Sequence, residues 1–305
     1  MHEVGDEVIV FPYYQRKVES YTDIVSPWYY GGPLYSSGVG YKDLREFYSS
    51  FETYCRQSDF VSAFLRYHPY LDNHNGTPDS YYTQPIGQTV WIDLQKSSDD
   101  ILGGFSGSRR KRVRKGRASN LRITQDESGE RIEEFHTIYI ENMKAFHTRP
   151  FYFFNLDFLK GLFNSLPNRV FLLNADLHES YVGGSLFLQD NGRMYYYLSA
   201  RNARISEGNS TSLILFQAAI IGKQKGLSTF DLGGGPLGSS LLEFKRSFTN
   251  NTRTLYASKM ISSKSKYDAL CKDRGIKPKY HKASFFPEYR ATMGASNGMK
   301  ENDTD

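Results

Sequence analysis

Apolar and polar positions change period several times along the chain, and each change marks an element. Near the start, alternation through Val8 and Val10 and again in YYQRKV predicts a strand. An aromatic loop punctuated by Gly and Pro, DIVSPWYYGGPLYSSG, follows it. Between residues 42 and 55, Leu44, Phe47, Phe51 and Tyr54 recur at helical spacing and share one face. Strands are expected at 61–67 and 89–94. Ser97 or Ser98 can cap a helix whose apolar positions, Ile101, Leu102, Phe105 and Val113, are sparse. Stronger helical spacing through Ile132, Phe135, Tyr139, Met143 and Phe146 predicts a helix over 130–146, with a second over 155–164. Three strand-like segments, 169–175, 181–188 and 194–200, are linked by HES and DNG, and Asp190-Asn191-Gly192 signals a hairpin. A helix over 208–226 ends at Gly226 and leads directly into a strand at 228–232.

Composition sharpens this only in places. With 305 residues the chain can form one large domain or two small ones. The 23 Tyr and 21 Phe read mostly as core and sheet packing, with a cleft lined with rings as the sharper alternative. Cys55 and Cys271, the only cysteines, lie far apart, which argues against a disulfide scaffold and for a reducing compartment. No apolar run approaches the roughly 18 residues needed to cross a bilayer. The opening MHEVGDEVIVFPYYQRK lacks the layout of a signal peptide. The expectation is a cytoplasmic protein with at most peripheral membrane contact and no obligate protein partner. The polar stretch 291–305 is expected to be a disordered tail. The chain's seven histidines lack ligand spacing (His136 and His147 stand eleven apart), so no metal is expected. There is no G-x-S-x-G elbow for a serine nucleophile.

The most specific stretch is FDLGGGPLGSSLLEFKRSF, from Phe230: a strand ending at Asp231, three glycines for a turn, and a short helix presenting Phe244-Lys245. This resembles the signature of the FemAB family, enzymes that aminoacylate peptidoglycan precursors. DIVSPWYYGGPL, WIDL followed by the basic run RRKRVRKGR, FHTIYIENMKAFHTRPFYFF and FFPEYR resemble further family motifs in the same order, from about residue 10 to residue 290. The meander, helix and returning strand of 169–232 also follow the core order of a GNAT-type N-acyltransferase. The resemblance implies an α+β fold of two GNAT-like halves with mixed sheets flanked by helices. The first is residues 1–97, completed by 261–290, and the second is 98–260. Related chains carry further residues before the first motif, so the first half is expected to be shortened.

Amide formation needs a neutral acceptor amine and stabilisation of a developing oxyanion. The resemblance places a functional lysine at Lys245; Phe244, Asp231, Gly233 and Gly234 are substrate-binding candidates beside it, against core packing for Phe244 and turn-making for Asp231 and the glycines. In the strand YYYLS, alternation sends neighbouring tyrosines to opposite faces, and Tyr197 with Ser199 are expected to line the cleft. The run RRKRVRKGR holds seven Arg or Lys between 109 and 117. It reads either as a solvated helix face or as an anion site, with Arg109, Arg110 and Arg112 as binding candidates. No cofactor is expected; the donor is a co-substrate, aminoacyl-tRNA or acyl-CoA. A loop that grips CoA pyrophosphate needs closely spaced glycines, whereas ARISEGNSTSLI keeps only Gly208 with Glu207 beside it, which favours charged tRNA. The expected acceptor is an amine on a cell-envelope glycan or peptide precursor, with charged tRNA as a partner and not DNA. The alternatives are an acyl-CoA-dependent N-acyltransferase of the same fold, and a non-catalytic binding protein on that fold.

Overall fold

The computed structural model describes residues 2–205, 209–235 and 238–294, so the Glu207-Gly208 loop and the tail from Ala295 lie outside the described residues. The chain opens with strands β1 (His2–Val4), β2 (Glu7–Val10), β3 (Tyr14–Val18), β4 (Tyr21–Val25) and β5 (Leu34–Tyr35). Then come helix α1 (Tyr41–Gln57), strands β6 (Phe60–Arg66) and β7 (Gln84–Asp93), and helices α2 (Ser98–Gly104) and α3 (Gly107–Ala118). Next are β8 (Arg122–Asp126), α4 (Ile132–Ala145), α5 (Leu156–Ser165), β9 (Val170–Leu177), β10 (Ser180–Asp190) and β11 (Arg193–Arg201). The last elements are α6 (Ser210–Gln224), β12 (Thr229–Gly235), α7 (Ser240–Arg246), β13 (Thr252–Ile261) and α8 (Lys264–Asp273). Two compact units result: Met1–Gln88 with Arg253–Asp305, and Thr89–Thr252. The divisions fall inside β7 and at the head of β13, rather than at 97/98 and 260/261, because the chain passes between units within strands.

In the first unit β3, β4, β6 and β13 lie side by side, with β4 parallel to β6 and antiparallel to β3. The apolar face of α1 supplies Leu44, Phe47, Tyr48, Phe51 and Cys55 to a core with Ile9, Ile24 and Leu65. A second cluster joins α8 to Phe286 and Tyr289. Asp23, fully buried, binds Arg290 at 2.6 Å and Arg16 at 2.8 Å, a pairing that a buried carboxylate requires. The aromatic loop after β4 is tightly held. Buried Asn73 donates to the carbonyls of Gly31 (2.9 Å) and Pro33 (3.0 Å) and accepts from the His68 amide (3.0 Å). Gly32 adopts φ +86°, and a Cβ there would meet Asn73 Nδ2 at 2.5 Å. β4 itself was hidden in the sequence, since YTDIV runs straight into the Gly/Pro stretch.

The second unit carries the order β12-β11-β10-β9-β8, antiparallel from β11 to β8, with β12 parallel to β11. This is the expected meander, helix and parallel return. The β10–β11 hairpin turns through Asn191 (φ 46°) and Gly192 (φ 74°), both in the left-handed region, as the DNG signal requires. Residues of α2, α3 and α6 cover one sheet face, with Val113, Leu213, Phe216 and Phe230 in its core. α4 and α5 cover the other through Ile132, Phe135, Leu159 and Leu186. The single helix expected after Ser97 is two. Phe105 is extended at its end, and Ser106 starts α3 by accepting from Arg109 N, as Ser97 caps α2 by accepting from Asp100 N.

Candidate active site

The parallel neighbours β11 and β12 pair only through Arg193–Thr229, Met194–Phe230 and Tyr195–Asp231. Beyond that point β11 runs six residues further, to Arg201, and β12 four, to Gly235. Among the described residues the second unit therefore has an opening in its sheet, walled by the diverging edges of β11 and β12. Strand edges of this kind can bind the amide groups of a ligand as an added strand would.

The β12 wall is glycine by necessity. The strand does not end at Asp231, as the sequence reading has it, but continues through Gly235. A Cβ on Gly235 would approach Leu242 N and Ser239 Oγ to 3.2 Å, so the missing side chains let α7 lie against the strand end. Asp231 is fully buried, and its Oδ1 accepts from Thr89 Oγ1 at 2.5 Å and from Gly233 N at 2.6 Å, which holds Gly233 at φ +75°. Asp231 thus shapes the wall. α7 starts with Ser239 accepting from Leu242 N at 3.2 Å and buries Leu242 and Lys245. Lys245, 8% exposed, donates from Nζ to the Gly234 carbonyl at 2.5 Å. The structure brings Lys245, Asp231, Gly233 and Gly234 together at the open end of β12. Phe244, beside Lys245, is partly buried against the core of that face.

The β11 wall departs from simple alternation. Leu186 pairs with Leu198, but Phe187 pairs with Tyr196, so Tyr197 is the extra residue of a bulge. Tyr197 and Leu198 consequently both join the α4/α5 face, where the Tyr197 ring stacks near Phe154 at 6.3 Å. Ser199 returns to the α3/α6 side and meets Ser185 Oγ at 3.0 Å, in the company of Tyr196. The expected pairing of Tyr197 with Ser199 on one wall is therefore corrected: the bulge separates them, and Tyr196 takes the place beside Ser199. Burial raises the Tyr196 phenol, while hydrogen bonds with Ser199 and Ser185 and the Arg109 charge oppose that rise. On the sheet's other side Tyr195 is pushed up to about 12, chiefly by burial.

The three arginines of the basic run differ in fate. Arg109 is partly buried, with its guanidinium over Phe244 at 4.5 Å and Phe248 at 5.1 Å. Desolvation lowers its pKa first, and the neighbouring Arg112 charge second. Arg110 donates to the carbonyls of Gly103 (3.0 Å) and Phe105, closing the end of α2. Arg112 lies on the exposed side of α3 with Lys111, Arg114 and Lys115. The exposed cations thus lie on the outer side of the helix, and Arg109 and Arg110 belong to its packing. Gly116 makes that packing close, since a Cβ there would stand 3.2 Å from Leu213.

Residues 106–246 match the acetyltransferase (GNAT) domain family, a span that holds the bulge, the opening and Lys245. The chain accordingly carries an acyltransferase domain of the GNAT type over these residues. The chain is similar to FemX, with 12% identity, 88% of each chain covered and a TM-score of 0.66. It is also similar to L-PGS from Bacillus licheniformis (13% identity, 90% of each chain, TM-score 0.60). A third likeness is to the C-terminal domain of a putative lysylphosphatidylglycerol synthetase from Agrobacterium fabrum (13% identity, 89% of each chain, TM-score 0.58). At these identities the three likenesses are of fold. No curated protein sequence matches the chain. Among the described residues no helix is long and apolar enough to cross a membrane.

Proposed function

We propose that this acyltransferase forms an amide by moving an aminoacyl or acyl group to an amine on a cell-envelope peptidoglycan or polysaccharide precursor. The observation that carries the reading is buried Lys245, fixed on the Gly234 carbonyl where β11 and β12 part. The fold shared with FemX and with lysylphosphatidylglycerol synthetases supports it. In the transfer a neutral amine attacks the donor carbonyl, and the new C–N bond drives the carbonyl electrons onto oxygen. Collapse expels the ribose hydroxyl of tRNA or the thiol of CoA, and the amine's proton leaves with it. A lysine charge held still beside that oxygen stabilises it without reorganising at the moment of reaction.

The donor we favour is aminoacyl-tRNA, on the sequence argument that Glu207 beside Gly208 opposes a pyrophosphate. A second reading, an acyl-CoA-dependent N-acyltransferase, draws on the GNAT family match. The test is binding of charged tRNA and of acetyl-CoA to the purified chain, with turnover on envelope precursors followed for the wild type and Lys245→Met. Saturable tRNA binding and a turnover loss of about 10² to 10³ in the variant, with donor binding kept, is the expected outcome. Binding of acetyl-CoA alone moves the donor to CoA. Full turnover by Lys245→Met refutes the role of the lysine.

A further inference from the structure

We infer that Arg109 is a positioning residue: it holds α7 so that Lys245 stays at the open end of β12. The inference rests on the reading of Lys245 given above, and the observations behind it concern a helix that is too short to stand alone. α7 has seven residues, about two turns, and isolated helices of that length do not persist in water. Its start is capped by Ser239, and its end needs another source of order.

That source is the first turn of α3. The Ser106 amide donates to the Ser247 carbonyl at 2.8 Å, which joins the start of α3 to the residue that ends α7. Arg109 Nε donates to Ser247 Oγ at 2.8 Å, and that hydroxyl donates onward to the Phe244 carbonyl at 2.5 Å. The guanidinium then lies over Phe244 and Phe248, the rings on either side of the Lys245 turn. A further hydrogen bond, from Arg109 to Ser212 Oγ at 3.4 Å, reaches α6. Its positive charge also sits at a helix C-terminus, where the orphan carbonyls favour it. One guanidinium therefore engages α7 by a hydrogen bond and by a cation–π contact, next to the residue whose Nζ reaches Gly234. Lysine cannot replace it, because an ammonium offers no Nε–H donor to Ser247 while its charge lies over the two rings.

The geometry also explains why the first residue of the basic run is partly buried while Lys111, Arg114 and Lys115 are exposed. α3 is anchored through Arg109 and presents its other cations outward.

The experiment compares the wild type with Arg109→Ala, Arg109→Lys, Lys245→Met and the double variant Arg109→Ala/Lys245→Met. Two measurements are made on each. Amide hydrogen exchange is followed by mass spectrometry over residues 240–248, and kcat and KM are measured separately. Exchange in α7 should quicken at least tenfold in Arg109→Ala and in Arg109→Lys, with α6 and the β9–β11 meander unchanged. Turnover should fall by roughly tenfold to a hundredfold through kcat with KM held, the effect expected of a catalytic group displaced by about 1 Å. The double variant should be no slower than Lys245→Met alone, because the arginine acts through the lysine.

Unchanged exchange in α7, or full turnover by Arg109→Lys, overturns the inference. So does a double variant whose losses multiply, since Arg109 then acts on substrate by itself. If Lys245→Met keeps its activity, the reading of Lys245 fails. The exchange data still decide whether Arg109 orders α7.

Discussion

Replacing Asn73 tests whether the aromatic loop of the first unit is built as rigidly as it looks. The side chain is fully buried and makes three hydrogen bonds, to Gly31 O, Pro33 O and His68 N, at 2.9 to 3.0 Å. Asn73→Ala leaves two carbonyls and one amide without this partner. A net hydrogen bond is worth about 1 kcal/mol, and an orphaned buried group costs about 1 to 3 kcal/mol. Water reaches the half-buried Gly31 end and softens that share, so a loss of about 3 kcal/mol is expected. Asn73→Asp is the sharper variant. It keeps the acceptor for His68 but turns a carboxylate oxygen toward two carbonyls, so it should cost at least as much as alanine despite its near-identical shape. The assay is urea unfolding read by Trp28, which sits on the tethered loop, in a Trp91→Phe background that silences the other tryptophan. A shift below about 1 kcal/mol for both variants, or a milder effect for Asp than for Ala, would refute the reasoning, because the bonds would then not be holding the loop.

Two further outcomes follow from the charges. Reversing Lys111, Arg114 and Lys115 to Glu should weaken charged-tRNA binding and flatten its salt dependence by about 0.7 to 0.9 for each phosphate no longer neutralised, as titrations at several salt concentrations would show; unchanged affinity would make α3 a solvated face only. His74, stacked on Tyr256 at 4.1 Å, has its pKa lowered by burial, with Asp72 opposing. A base whose folded pKa lies below its unfolded value makes stability complete above about pH 6.5 and lost as pH falls through the folded value. First-unit stability should therefore decline below neutral pH, and His74→Gln should remove part of that slope in unfolding curves taken from pH 7.5 to 5.

Much of the second unit could be read directly from the chain. Its helices announce themselves by apolar spacing, as in Ile132, Phe135 and Tyr139, and its hairpin by Asn191-Gly192, because both signals are local and one residue type has one backbone consequence. The FDLGGGP…EFK stretch likewise marked the neighbourhood of Lys245. Where reading failed, the cause was a partner distant in sequence. Counting back from the Asn191-Gly192 turn pairs Ser185 with Leu198; the bulge at Tyr197 moves that partner to Ser199, so Tyr196, not Tyr197, shares its wall. A bulge answers to packing on both sheet faces, which no local pattern encodes. The same holds for the basic run. Charge density pointed to Arg109, Arg110 and Arg112 together, yet the rings of Phe244 and Phe248, some 135 residues away, claim the first and the end of α2 the second. Sequence alone determined the strongly periodic helices, the central hairpin and the Gly-rich turn before Lys245, because those signals are local. The tertiary structure decided which faces those segments turn to one another, because cross-sheet register and close packing exist only after distant parts of the chain have met.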